Sequence, residues 1–275
     1  MRNLQSFTSA RTLLGLLALA LWTAPAVQAA DESYGRSAAD LAMEDFLLHA
    51  EVVEIEDVGV GITEPKRLTL RRGDEEHRAI FKNVDVEVDG PIRADRWERD
   101  FSDKYTYEVA AYLLDRLTGI GLVPVTVERE VEGERGSVQL WIEDVITLDE
   151  AVNDPDAEVE NYDLLVERLG LMYVLDVLIY NVDRNFSNVL VDLGRDVFHP
   201  IDHSRAFRLS PKPPPSTRGK ADQFDLPADV DQRLRSFDLA TLQALVGDLL
   251  EDEQVQAILK RRDRLVKMLD KNRPA

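Results

Sequence analysis

Three residues in the stretch "YNVDRNFSNVLVDLGRDVFHPIDHSRAF", residues 180–207, carry side chains suited to hard cations and phosphates: Asp183, Asn188 and Asp202. Asn188 follows Asp183 by five positions and Asp202 follows Asn188 by fourteen, with the apolar run Val189 to Val191 between the amide and the second acid. Oxygen ligands of this kind suit Mg²⁺, which keeps several waters and shares phosphate oxygens. Phosphoryl transfer from a nucleotide asks for little covalent work from protein. It needs a lysine on the phosphates, acid and amide groups on the metal, and a carboxylate beside the nucleophile. Asp and Asn are also common turn formers, so the surrounding elements must decide.

Those elements fall into two parts. "YGRSAADLAMEDFLLHA" reads as a short amphipathic helix. The runs Glu51 to Ile55 and Lys66 to Arg71 are β-rich and flank a turn with Gly59 and Gly61. "HRAIFKNV" predicts a third strand ending in Lys82, and "VEVDGPIRADRWERDFSDK" reads as a charged loop. "KYTYEVAAYLLDRLTG" is an amphipathic helix with Tyr107, Ala110, Ala111, Leu114 and Leu117 on one face and Gly119 as its stop. A hairpin turning at Glu132-Gly133-Glu134 follows. These segments predict an α+β unit built on an antiparallel sheet.

From Thr147 the pattern becomes helical. Thr147 is a cap with Glu150 three residues on, and "DLLVERLGLMYVLDVLIYNV" is a long helix that grows more apolar along its length. The proline-rich "SPKPPPSTRGK" excludes regular structure, and "DLATLQALVGDLL" and "EQVQAILKRRDRLVKML" are two closing helices. The basic cluster "LKRRDRLVKMLDKNR" is expected to be the solvated face of the last one. The predicted boundaries are a β-rich lobe at 30–145 and a helical lobe at 146–275.

A small β unit ahead of a helical unit, with acid, amide and acid in the second, matches the order phosphoryl transfer requires. Lys82 ends a strand after a Gly-x-Gly turn, where its ammonium can face phosphates. Glu108, on the helix that follows, can pair with it. Gly59 and Gly61 let the backbone approach a phosphate closely.

"DRNFSNVLV…DVFHPIDHSRAF" resembles the catalytic and metal-binding loops of the phosphatidylinositol 3/4-kinase-like group of atypical kinases. "YEVAAYLLDRLTGIGLVPVTVERE" is similar to a segment of secretory-pathway protein kinases of the four-jointed and Golgi casein-kinase type. The two motifs stand in the order these kinases show, and the resemblance spans roughly residues 50–210. It implies a two-lobed protein-kinase-like fold with ATP and Mg²⁺ or Mn²⁺ between the lobes. Gly59 and Gly61 would cover the phosphates, Lys82 would bind them with Glu108 as its partner, Asp183 would orient or deprotonate the acceptor, and Asn188 and Asp202 would hold the metal. Backbone groups around Gln139 to Glu143 would meet the base. Asn185 stands where the resemblance has histidine, and His203-Ser204 where it has Phe-Gly or Asn-Gly.

Other chemistries fare less well. His199, Asp202 and His203 have zinc-like helical spacing, but Pro200 and strand-like flanks remove its meaning. No Gly-x-Ser-x-Gly turn supports a serine hydrolase. Nucleotidyl transfer would use the same residues. The main rival is a catalytically inactive, kinase-shaped binder of nucleotide or protein, because an exported protein meets little ATP.

Export is expected from the first 29 residues. Arg2 and Arg11 precede "LLGLLALALW", and "TAPAVQAA" offers a cleavage just after Ala29, the pattern of a secretory signal peptide rather than a stable membrane span. The chain has no cysteine, so disulfides, thiolate chemistry and a lipidated cysteine are excluded. Losing that leader removes two arginines and no acid, taking the formal net charge from −19 to −21. Such a surface repels nucleic acid. The expected partners are a nucleotide and a hydroxyl acceptor on protein, lipid or sugar, in the periplasm or outside the cell.

Overall fold

The structure, a computed structural model, describes residues 33–272 apart from 60–63, 94–95, 155–160, 193, 196 and 218–224. The leader and Gly61 therefore lie outside the described residues. Helix α1 (Ala38–His49) opens with a capping box between Ser37 and Asp40. Strands β1 (Glu51–Asp57), β2 (Lys66–Arg72) and β3 (Glu75–Lys82) follow as a meander. With β6 (Thr126–Val131) and β7 (Glu134–Leu140) they form one antiparallel sheet in the order β1-β2-β3-β7-β6. The β6–β7 turn has Glu132 at φ 52° and Gly133 at φ 84°, both left-handed, as a two-residue hairpin turn demands.

Strand alternation places the site lysine. On β3, Ala79 and Phe81 are buried in the core, while Arg78, Ile80 and Lys82 project to the opposite face. Ile80 pairs with Gln139 of β7, and Lys82 with Ser137. Gly136 lies beneath this pairing, where a methyl group would run into the Lys82 carbonyl oxygen and the Phe81 ring. Gly136→Ala is expected to cost about 1–3 kcal/mol and to push Lys82 out of register. Thermal unfolding would measure the cost.

The segment read as a charged loop is instead a hairpin, β4 (Asp85–Arg93) and β5 (Arg96–Lys104). A ribbon of two strands has little core to bury, so its sequence stays polar: Val86 and Val88 are largely exposed and Phe101 is buried at its base. Register shifts at Val88/Gly90 and Pro91/Arg93 further blur the alternation. The hairpin's base is anchored, because Lys104 N–H donates to Ser204 O at 2.8 Å and Tyr105 N–H to Val84 O at 2.7 Å. Helix α2 (Tyr105–Thr118) leaves directly from β5 and stops at Gly119, φ 74°. Its predicted face is buried, with Leu117 only partly so.

Beyond the sheet come β8 (Ile146–Thr147), α3 (Leu148–Asn153), with the expected Thr147–Glu150 capping box, and α4 (Tyr162–Ile179). Short strands β9 (Val189–Asp192) and β10 (Val197–Pro200) join β8 in a second sheet, order β10-β9-β8. Three helices close the chain: α5 (Ala228–Ser236), α6 (Leu239–Val246) and α7 (Asp252–Asn272). The sequence reading missed α5, because only Val230 and Leu234 mark its buried face.

The basic face of the last helix also needs correction. Arg261 is fully buried and donates to Leu178 O at 2.8 Å and to Arg208 O and Ser210 O at 2.9 Å. It ties α7 to the end of α4 and to the chain that follows Asp202. Arg262 similarly reaches Phe237 O at 2.6 Å. Long cationic side chains can cap buried carbonyls, which composition alone does not reveal.

Candidate active site

Lys82, Asp183, Asn188 and Asp202 line one cleft of about 840 Å³ between the five-stranded sheet and the helical half. Lys82 sits between two acids, its Nζ 2.7 Å from Glu108 Oε1 and 2.9 Å from Asp202 Oδ1. Burial pushes the lysine down, but Glu108 and Asp202 outweigh it and hold the ammonium above its ordinary value. For Glu108 burial pushes upward, yet Lys82 and His203 hold the carboxyl well below 4.5. Glu108 is 1% exposed rather than an exposed helix charge. Its second oxygen accepts the His203 backbone N–H at 3.0 Å.

The loop after α4 is organised by Arg184. This side chain donates to Asp176 at 3.1 Å, to Asn188 O at 2.6 Å, to Ile201 O at 2.9 Å and to His203 Nε2 at 2.9 Å. One buried guanidinium thereby fixes the loop carrying Asp183 and the turn carrying Asp202. Arginine has only donors, so His203 Nε2 is the acceptor and the ring proton sits on Nδ1, 3.4 Å from Glu108 Oε2. Burial pushes the His203 pKa down and keeps the ring neutral. His203 thus occupies the position after Asp202 as part of the Lys82–Glu108 cluster.

Asn188 Nδ2 donates to Asp183 O at 3.1 Å, which leaves the amide oxygen available to a cation. Pro200 pairs with Val189 across β9–β10, and Ile201 N–H donates to Asn188 O at 3.1 Å, so the register brings Asn188 beside the start of the Asp202 turn. Asp202 adopts φ 59°, a strained left-handed conformation of the kind that clusters at functional sites. Asp183 Oδ2 accepts from Arg205 Nη1 at 3.3 Å. Burial pushes the Asp183 carboxyl above 3.8, with Asp202 and Asp103 adding to the rise and Arg205 opposing it.

The cleft's charge fits a divalent metal. Its lining carries three cations, Arg78, Lys82 and Arg205, against six acids, Asp103, Glu143, Asp144, Glu150, Asp183 and Asp202, a formal charge of −3. Asn188 and Asp202 supply the hard oxygens such a cation prefers. Gly59, at φ 71°, belongs to the β1–β2 turn, and the neighbouring Val58 lines the cleft. Gln139 through Glu143 line it too, although the Gln139 amide donates to Thr126 Oγ1 at 2.8 Å.

The zinc spacing does not gather. His199 Nδ1 lies 3.3 Å from Leu122 O while His203 faces Glu108 and Arg184, and no metal-type cluster of three His, Cys, Asp or Glu exists among the described residues.

The sequence reading assigned no role to Asp103, Asp176, Arg184 or Arg205. Asp176 carried a signal: a single acid inside the apolar run "LMYVLDVLIY" is rarely buried without a partner. Asp103 gave none, because it fell in the segment read as loop.

No protein-family model matches this sequence, and no curated protein matches it. Solved structures do. A hydra Fam20 structure with sugar aligns at TM-score 0.63 and 16% identity, over 86% of this chain and 90% of that one. The chain has a two-lobed kinase-like fold. The Golgi casein kinase aligns at TM-score 0.60 and 17% identity, covering 86% of this chain and 76% of its own. The same kinase with Mn/ADP bound gives 0.58 and 16%, over 84% and 75%. At these identities the likeness establishes the kinase-like fold. No described helix is long and apolar enough to cross a membrane.

Proposed function

We propose that this protein is an exported atypical kinase that transfers a phosphoryl group from ATP to a hydroxyl, with Mg²⁺ or Mn²⁺ as cofactor. The carrying observation is Lys82, held between Glu108 and Asp202 in the same cleft as Asp183 and Asn188. On this reading the leader 1–29 is removed, residues 30–145 form the nucleotide-covering lobe and 146–275 the catalytic lobe. The protein then works in the periplasm or outside the cell. The Golgi casein kinase with Mn/ADP bound supports nucleotide and a divalent metal together for this fold.

Each residue takes one task. Lys82 binds phosphate oxygens, with Glu108 fixing its direction. Asn188 and Asp202 hold the cation, which supplies charge to the phosphates when bound. Gly59, in the β1–β2 turn, covers the phosphates, and the backbone at Gln139 to Glu143 meets the base. Asp183 accepts the proton of the acceptor hydroxyl as its oxygen bonds to phosphorus and the bond from phosphorus to the bridging oxygen of ADP breaks. A carboxyl raised by burial suits a general base better than an ordinary aspartate. The acceptor is a protein, lipid or sugar hydroxyl.

The test combines stability with transfer. ATP with Mn²⁺ is expected to raise the melting temperature, since a ligand of the folded state stabilises by mass action, and Asp202→Ala should abolish the rise. Asp183→Asn should keep it while slowing γ-phosphoryl transfer by about 10²–10⁴-fold. No rise in millimolar ATP and metal would sink the kinase reading. A rise without transfer to any hydroxyl would make the protein a nucleotide binder.

A further inference from the structure

The guanidinium of Arg205 lines the cleft and has no task in the reading above. Its Nε donates to Asp103 Oδ2 at 3.1 Å and its Nη1 to Asp183 Oδ2 at 3.3 Å, while Nη2 has no acceptor among the described residues. Asp202 adds to the field that favours its charge, and both Arg205 and Asp202 line the same cleft. The guanidinium carbon lies over the Phe101 ring, 5.5 Å from its centroid, which further restricts it.

Asp103 is the second observation. It lies at the end of β5, lines the cleft and is only 4% exposed. Among the described residues its Oδ1 has no hydrogen-bond partner, and Arg205 is the partner of its Oδ2. Burying a carboxylate against a single partner is costly when its remaining lone pairs are left unsatisfied. The arrangement resembles an anchor for a cation whose remaining donors must stay available.

The other cations of the region are committed. Arg78 is clamped by Glu143 and Arg184 is turned inward onto Asp176, His203 and two carbonyls, while Lys82, held by Glu108 and Asp202, is already the phosphate lysine of the reading above and is a single point charge. Transfer nevertheless develops charge between Asp183 and Asp202, where the terminal phosphate must sit.

We infer that Arg205, oriented by Asp103, is the residue that binds the terminal phosphate of the nucleotide, and that Asp103 is its positioning residue. This rests on the kinase reading above. The planar donor fork matches phosphate geometry better than a point charge does. Asp183 occupies part of that fork. An arriving γ-phosphate competes for it and frees the Asp183 carboxylate to meet the acceptor.

Calorimetry with Mn²⁺, ADP and a non-hydrolysable ATP analogue tests this without knowing the acceptor. The wild type is expected to bind the triphosphate about tenfold more tightly than ADP. Arg205→Ala should erase that preference and leave ADP affinity within about twofold, which also shows that the variant is folded. Arg205→Lys should restore part of the preference. Asp103→Asn should reduce it while again sparing ADP, an outcome that a purely structural Asp103 does not produce. A preference that survives Arg205→Ala, an equal loss for both nucleotides, or a wild type with no preference each overturns the inference. Failure of either nucleotide to bind the wild type would instead remove the kinase reading on which it depends.

Discussion

Lys82→Ala is expected to lower phosphoryl transfer by about 10²–10³-fold and to destabilise the fold by about 3–5 kcal/mol. The two effects have different origins. On the proposed function, loss of transfer follows from removing the cation assigned to the phosphates. Loss of stability follows from leaving Glu108, which is almost fully buried, with its charge opposed mainly by the His203 backbone N–H. A double variant separates them. Lys82→Met with Glu108→Gln removes both charges in similar volume, so chemical denaturation should show most of the stability regained. Transfer should stay at the level of the single variant. Equal recovery of both would mean that Lys82 is only half of a structural pair.

The double variant also carries a pH signature. Glu108 is held below its ordinary 4.5 in the folded state, so the unfolded chain takes up that proton first as pH falls. The pair's contribution is therefore complete above about pH 4.5 and lost progressively below it. Acid unfolding of the double variant should lack this share of the slope.

Arg184→Ala is expected to cost about 3–5 kcal/mol and to abolish transfer with it. Asp176 is fully buried, and the substitution leaves it without its charge partner. It also removes the donors to Asn188 O, Ile201 O and His203 Nε2, which together hold the Asp183 loop and the Asp202 turn against each other. Arg184→Lys should recover little, because one ammonium cannot reach four acceptors arranged around a planar fork. Denaturant midpoints of the two variants beside the wild type would decide it. A near-neutral Arg184→Ala would mean that the loops are positioned by the β9–β10 pairing alone.

How much of this was legible beforehand differs from residue to residue. Helix α2 could be read because its apolar positions recur at helical spacing and Gly119 supplies a left-handed stop. The meander leading to Lys82 could be read because β3 alternates and ends at a polar residue. The hairpin β4–β5 could not: a ribbon with little to bury leaves no apolar period, and Asp103 was hidden with it. Arg261 escaped for the opposite reason, since a basic run on a terminal helix looks like a solvated face wherever its carbonyl partners are distant in sequence.

The sequence by itself determined the kinds of side chain available, their order, and the local elements that carry them, because period, caps and turn chemistry act over a few residues. Only tertiary structure decided which charges meet. The contact of Lys82 with Asp202 spans 120 positions, and that of Arg205 with Asp103 spans 102. Such pairs leave no local pattern, because their energy arises only when folding removes both partners from water and brings them together.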